Sequence, residues 1–336
     1  MLDTRPTDTA LPIAGRCARI AGIATRGSWM LDLAIIIVNY NTAEDLCRCL
    51  DSLRDGMGAL ACEVVVVDNA SSDGSVDMVR EAHPWVQQVI TNPVNGGYAY
   101  ANNLGLRALG FSAGQSMEDR PRYALLLNPD TVLPADALST LLDYMDAHPD
   151  IGVLGPRLVR PDGSLDRACR RGFPTPAVSL YHMLGLPKLF PKSQRFGRYN
   201  MTYLDEMVET DVDSVVGAFM LMRSGVLEQA GVLDERFFMY GEDIDLCYRI
   251  KQNGWRVHYY PVVTVLHVKG AASRKNAVQA TSAFYDAMKI FHDKHYRQRY
   301  PAPVNWAVDV GVGLLRARAT LLNRIRPVER RRVASA

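Results

Sequence analysis

The chain lacks most of the devices that substitute for an ordinary core. Its six cysteines, Cys17, Cys47, Cys49, Cys62, Cys169 and Cys247, include no C-x-x-C pair. That scatter predicts reduced thiols and excludes a disulfide framework or a cysteine zinc site. No uninterrupted apolar run approaches the ~18–20 residues of a membrane span. Residues 1–29 contain Arg5, Arg16, Arg19 and Arg26 without a continuous apolar stretch, which argues against a signal peptide and for a poorly ordered extension. Met30, just before the first strand, is an alternative start. The net charge of +2 is too small for a strongly basic nucleic-acid binder. No G-x-G-x-x-G follows the first apolar run, which argues against a dinucleotide oxidoreductase. There is no internal repeat and no low-complexity tract.

What is present is ordinary in amount and uneven in placement. With 336 residues, 48% apolar and 22% charged, the chain can build one large α/β domain with additions, or two domains. From Asn305 to Ala336 seven Arg stand against two acids, a net +5 that leaves −3 on the rest. A basic tail on a near-neutral body suggests an anionic surface as its partner. Residues 304–325 read as a basic amphipathic helix with Trp306, Val310, Leu314, Leu321 and Ile325 among its apolar positions, followed by Arg330-Arg331-Arg332. It suits the cytoplasmic, inner face of a cell membrane, with packing on the body or in a homodimer as the alternative.

The body alternates β-branched runs with helical stretches. Strands are predicted at Leu33–Val38, Glu63–Val67, Val86–Ile90 and Tyr123–Leu127, with helices after Thr42, up to about His83, and from Tyr98 to about Leu109. That alternation predicts an α/β fold with a mainly parallel sheet, and ligands in such sheets bind beyond the carboxyl ends of the strands. Polar clusters stand at those ends: Asn39-Tyr40, Asp68-Asn69, Asn95-Gly96-Gly97 and Asn128-Pro129-Asp130. The second half is less regular. It predicts a helix over Pro134–Ala147, strands over Val153–Arg160 and Gly163–Arg167, a strand-like run over Val212–Arg223, a short helix at Val226–Ala230 and a last strand from Tyr259 to Val268. The expected divisions are an extension (1–30), a main domain (31–275, with halves 31–133 and 134–275) and a C-terminal helical, membrane-associating region (276–336).

The densest chemical signal is Gly241-Glu242-Asp243-Ile244-Asp245, behind the aromatic run Phe237-Phe238-Met239-Tyr240. Acids at the mouth of a helix face unpaired N–H groups and a positive dipole end. Alone, the segment reads equally as a well-capped surface helix. With Asp130 as a second acidic site, it suggests a base and a metal ligand facing one substrate.

Together, Val38-Asn39-Tyr40-Asn41, Val67-Asp68-Asn69-Ala70-Ser71-Ser72-Asp73, Asn95-Gly96-Gly97-Tyr98, Asn128-Pro129-Asp130, Gly217-Ala218-Phe219-Met220, the acidic segment and His267-Val268-Lys269-Gly270 resemble the family 2 inverting glycosyltransferases of GT-A fold. Their closest likeness is to bacterial rhamnosyltransferases of cell-wall linker and O-antigen synthesis, over roughly Leu33–Arg274. The resemblance implies a nucleotide-sugar donor, dTDP-L-rhamnose, and a polyprenyl-diphosphate N-acetylglucosamine acceptor. Other donors, UDP-galactofuranose or UDP-N-acetylglucosamine, remain alternatives, as does a non-catalytic nucleotide-sugar-binding module.

Residue roles follow on the same footing. Tyr40 and Asp68 are expected at the nucleobase, Asn39 is expected to bind substrate beside them, and Asn95, Gly96 and Asn102 are expected at the donor. Asp130 and His267 are expected to hold a divalent ion, Mn²⁺ or Mg²⁺. Asn128 replaces the first carboxylate of the family's Asp-x-Asp, so it is expected on the ribose or a metal-bound water. Arg170 and Arg171, in a loop expected to be mobile, and Lys269 are expected on diphosphates. Asp243 ranks first as general base and Glu242 second.

Overall fold

The computed structural model describes residues 31–111, 120–268 and 277–326. The N-terminal extension, Met30, Lys269 and Arg330-Arg331-Arg332 lie outside them.

In the first half, β1 (Leu33–Asn39), β2 (Cys62–Asp68), β3 (Gln88–Thr91) and β4 (Tyr123–Leu127) pair in parallel in the order β3-β2-β1-β4. All seven residues of β1 are buried, as a β-branched run without polar alternation requires. The intervening helices are α1 (Ala43–Met57), α2 (Ser75–Ala82) and α3 (Tyr98–Ala108). Helix α1 turns Leu46, Cys49, Leu50 and Leu53 inward at helical spacing.

The second half mixes directions. It contains β5 (Thr131–Val132), α4 (Ala137–Ala147), β6 (Ile151–Val159), α5 (Pro176–Met183), α6 (Leu186–Leu189), β7 (Thr210–Asp211), β8 (Phe219–Arg223), α7 (Ser224–Ala230), α8 (Glu242–Gln252) and β9 (Arg256–His267). The sheet continues β4-β8-β6-β9-β5, with β7 also on β9. Strand β8 runs antiparallel to β4 and β6, and β6 is parallel to β9. Helices α9 (Ala277–His295) and α10 (Ala302–Ile325) follow. A small cluster of Phe237, Ile244, Tyr248, Phe291 and Tyr296 packs α9 against α8.

Three expectations change here. Gly163–Arg167 forms no strand: only Leu165 bridges to Val159, and Asp166 caps a 3₁₀ turn over Arg167–Cys169 by accepting from the Ala168 N–H. Val212–Ala218 does not extend β8, because side chains take up its backbone groups: Arg171 reaches the Val215 carbonyl and Asp243 the Gly217 N–H. The stretch at Arg170 and Arg171, expected in a mobile loop, leads into a folded hairpin of α5 and α6.

Candidate active site

Parallel register brings Asn39 and Asp68 side by side at the carboxyl ends of β1 and β2. Asn39 Nδ2 donates to Asp68 Oδ1 at 2.9 Å and to Ser71 Oγ at 3.0 Å, while its Oδ1 accepts from Thr42. Asp68 Oδ2 accepts from the Ser71 N–H. These are buried Asx-type locks that shape the rim, and half-buried Tyr40 is next along the chain. Asn95 holds its own loop, accepting from Asn69 Nδ2 and the Gly97 N–H. Gly96 N–H donates to Asn69 Oδ1.

The glycine pair was expected to admit a ligand; Gly97 instead seats the protein's own backbone. At φ +92° it lies so close to Phe238 that a Cβ would overlap the Phe238 carbonyl oxygen, and Tyr98 N–H donates to that same oxygen at 2.7 Å. The contact pins the start of α3 to the segment leading into α8. Asn102, one turn into α3, donates to the Tyr98 carbonyl while its buried Oδ1 finds no partner among the described residues.

Asp130 and His267 come together. Antiparallel pairing sets Thr131 opposite His267, and His267 Nε2 lies 3.3 Å from Asp130 Oδ1. The other ring nitrogen, Nδ1, is 3.0 Å from Asp166 Oδ2. Burial opposes charge on this imidazole, but hydrogen bonds to Asp130 and Asp166 outweigh it and hold its pKa up to about 9. A carboxylate on one nitrogen orients the other, the usual support for a metal-binding histidine. The sequence reading missed Asp166, whose only local signal was the turn Pro161-Asp162-Gly163 beside it. Among the described residues no larger His, Cys, Asp and Glu group completes a metal cage. Two protein donors suit an ion that takes its other oxygens from phosphate and water. Half-buried Asn128, just past β4, uses its N–H on Ala218 and its carbonyl on Thr131.

The mouth of α8 treats its two adjacent carboxylates differently. Tyr240 (φ +70°) and Gly241 (φ +81°) are both left-handed, a costly bend for the tyrosine, and they aim the first helical turn back toward β8. Asp243 is fully engaged: Oδ2 accepts from Arg171 at 2.8 Å and from the Gly217 N–H at 3.0 Å, and Oδ1 from the Ile244 N–H at 2.7 Å. Glu242 is equally buried, yet its Oε2 has no partner among the described residues. Burial, then the neighbouring Asp243 charge, pushes its pKa up to about 8. Tyr98, also missed, feels the charges of both acidic sites. Its hydroxyl donates to the Gly217 carbonyl at 2.8 Å. Burial, then Glu242, Asp243 and Asp130, push this phenol well above its ordinary value.

The paired arginines face inward, contrary to the expectation of a diphosphate clamp. Arg171 is buried on Asp243, Ser214 and Val215. Arg170 donates to the Asp205 and Leu204 carbonyls and lies over the Tyr259 ring. Asp245 anchors the far side of α8 to Arg249, Lys294 and His295 at 2.9, 2.7 and 2.7 Å.

Residues 32–285 match the model of the family described as "Glycosyltransferase like family 2". The chain is 29% identical to the N-acetylglucosaminyl-diphospho-decaprenol L-rhamnosyltransferase of Mycobacterium tuberculosis, over 90% of this chain and 96% of that one. It is 30% identical to the rhamnosyltransferase WbbL of Escherichia coli, over 51% of this chain and 60% of that one. Its fold is similar to that of TarS from S. aureus, with a TM-score of 0.51 at 15% identity, covering 79% of this chain and 39% of that one.

Proposed function

We propose, because the chain belongs to the family 2 glycosyltransferases, that it transfers L-rhamnose with inversion from dTDP-L-rhamnose to a polyprenyl-diphosphate-linked N-acetylglucosamine. The rhamnosyl and lipid-linked parts of this reading are supported by likeness along nearly the whole length to the mycobacterial rhamnosyltransferase. The observation that carries the chemistry is the buried Glu242 carboxylate, whose Oε2 has no partner among the described residues and whose charge, like that of Asp130, acts on Tyr98.

In this reading Glu242 is the general base. The acceptor hydroxyl gives its proton to Oε2 while its oxygen bonds to the sugar C1, and the C1–O bond to the diphosphate breaks on the opposite face. A carboxylate raised toward neutrality is a better proton acceptor than an exposed one. Asp243 acts on position: with Arg171 it fixes the first turn of α8 and the Gly217 peptide. Asn39, Asp68 and Tyr40 form the rim for the base, and Asn95, Gly96 and Asn102 border the donor. Asp130 and His267 would hold a divalent ion, Mn²⁺ or Mg²⁺, which would neutralise charge on the departing diphosphate.

Among the described residues no helix is long and apolar enough to cross a membrane. Helix α10 buries Asn305, Val312 and Asn323 but exposes Trp306, Val310, Leu314, Leu321 and Ile325. That division suits peripheral attachment to the inner leaflet, where a lipid-linked acceptor is presented.

The test is transfer from dTDP-L-rhamnose to a short-chain polyprenyl-diphospho-N-acetylglucosamine, with and without Mn²⁺ or Mg²⁺, in the wild type and Glu242→Gln. Metal-dependent product that disappears in the variant is expected. Product only with UDP-galactofuranose or UDP-N-acetylglucosamine would replace the donor and keep the mechanism. Equal rates in both proteins would remove the base.

A further inference from the structure

We propose that the α5–α6 hairpin is a second membrane contact, separate from α10, that docks on an anionic phospholipid surface. The inference rests on the membrane reading above only for the existence of a lipid surface, and its observations are independent of α10.

Helix α5 buries none of its eight residues, although its sequence, Pro176-Ala177-Val178-Ser179-Leu180-Tyr181-His182-Met183, is mostly apolar. An apolar helix with no buried residue is an unusual thing for a domain to display. With the turn and α6 it exposes Leu180, Met183, Leu184, Leu189 and Phe190, the last three by 63%, 70% and 51% for Leu184, Leu189 and Phe190 respectively. These five fall within eleven residues of sequence.

The projection is built. Thr175 caps α5 by accepting from the Val178 N–H. Gly185, at φ +71°, turns the chain into α6. Behind the exposed side chains, Phe196 meets Tyr181 edge-on at 5.1 Å and Phe190 at 5.4 Å, and Arg195 lies over Tyr181. Thr202 closes the base by donating to the Pro191 carbonyl at 2.8 Å.

Charge selects the occupant. Between Asp166 and Asp205 the sequence has seven cations and no acid. Arg170 and Arg171 are buried, but Lys188 and Lys192 are exposed beside Leu189 and Phe190, and neither meets a carboxylate among the described residues. A protein partner matching the apolar tip alone would leave these ammonium groups unopposed. An anionic lipid surface takes both, apolar side chains below the headgroups and lysines among them. The hairpin follows directly on Arg171, the residue that holds Asp243, so its docking would set the height of the α8 mouth above the leaflet.

The experiment is co-sedimentation of the full chain with vesicles of phosphatidylcholine alone, or of equal parts phosphatidylcholine and phosphatidylglycerol. The wild type is compared with a hairpin variant, Leu184→Ser with Leu189→Ser and Phe190→Ser, a charge variant, Lys188→Gln with Lys192→Gln, and an α10 variant, Trp306→Ser with Leu314→Ser. The hairpin variant should lose binding by about tenfold or more while transfer to a water-soluble acceptor is kept. The charge variant should lose only the preference for phosphatidylglycerol. Hairpin and charge variants that bind like the wild type, while the α10 variant does not, would overturn this proposal and keep the reading of α10. A wild type that binds neither vesicle would overturn both. A hairpin variant whose only change is from dimer to monomer in sedimentation velocity would reassign the hairpin to contact between copies.

Discussion

The rim at the ends of β1 and β2 and the mouth of α8 lie on the same edge of the sheet, yet their polar groups are treated in opposite ways. At the rim, Asn39, Asp68, Ser71, Asn69 and Asn95 bond one another, so that burial costs little and the surface is fixed before any ligand arrives. At α8, Asp243 is satisfied by three donors while Glu242, one residue away, has an oxygen with no partner among the described residues in the same buried setting. An unmet buried carboxylate is destabilising, and retaining one here fits the proposed role of accepting a proton. Completeness of hydrogen bonding therefore separates shape from chemistry better than residue type does.

The strongest way to break that distinction is to exchange the fates of the two neighbours. Glu242→Gln should lower transfer by ~10²–10⁴-fold with the fold intact, measured as initial rate beside a thermal melt. Asp243→Ala should act first on stability, because it strands a buried guanidinium; a loss of ~3–5 kcal/mol is expected in urea denaturation. A stable, inactive Asp243→Ala with an active Glu242→Gln would return the base to Asp243. Asp166→Asn should weaken metal dependence by ~10–100-fold through a loosened His267, seen as a shift in the metal concentration giving half-maximal transfer.

The smallest effect is one of pH. The Glu242 carboxyl is raised on folding from its ordinary value to about 8, so its ionisation is disfavoured in the folded protein. Stability should therefore decline as pH climbs from the ordinary carboxylate range to about 8, and Glu242→Gln should remove that part of the decline. Over the upper end of that window kcat/KM should rise, levelling above about 8 as the base loses its proton.

The first half of the fold was legible because β-branched runs and helical stripes are local: β1, β2 and β4 stand where Ile35–Val38, Val64–Val67 and Leu125–Leu127 announce them. The parts that differ depend on distant side chains. Val212–Ala218 reads as strand until Arg171 and Asp243, far away in sequence, occupy its peptide groups. Arg170-Arg171 reads as an exposed clamp for the same reason: nothing nearby reveals their buried partners. The pairing of Asp130 with His267 was expected through the resemblance to the family, whereas Asp166 on the other ring nitrogen was not, since a lone Asp after a turn has no signal of its own. Which of Glu242 and Asp243 finds donors is likewise set by distant groups, the Arg171 guanidinium and the Gly217 N–H.

Asp245 gives the site a place in time as well as in space. The helix that presents Glu242 is held on its far side by His295, 50 residues downstream, and by Lys294 next to it. During synthesis the ribosome releases the described sheet and the acidic turn of α8 before either clamp exists. Helix α9, which emerges later, thus carries the brace for α8, and a nascent chain lacking it has the acidic turn without the contacts that hold its helix still.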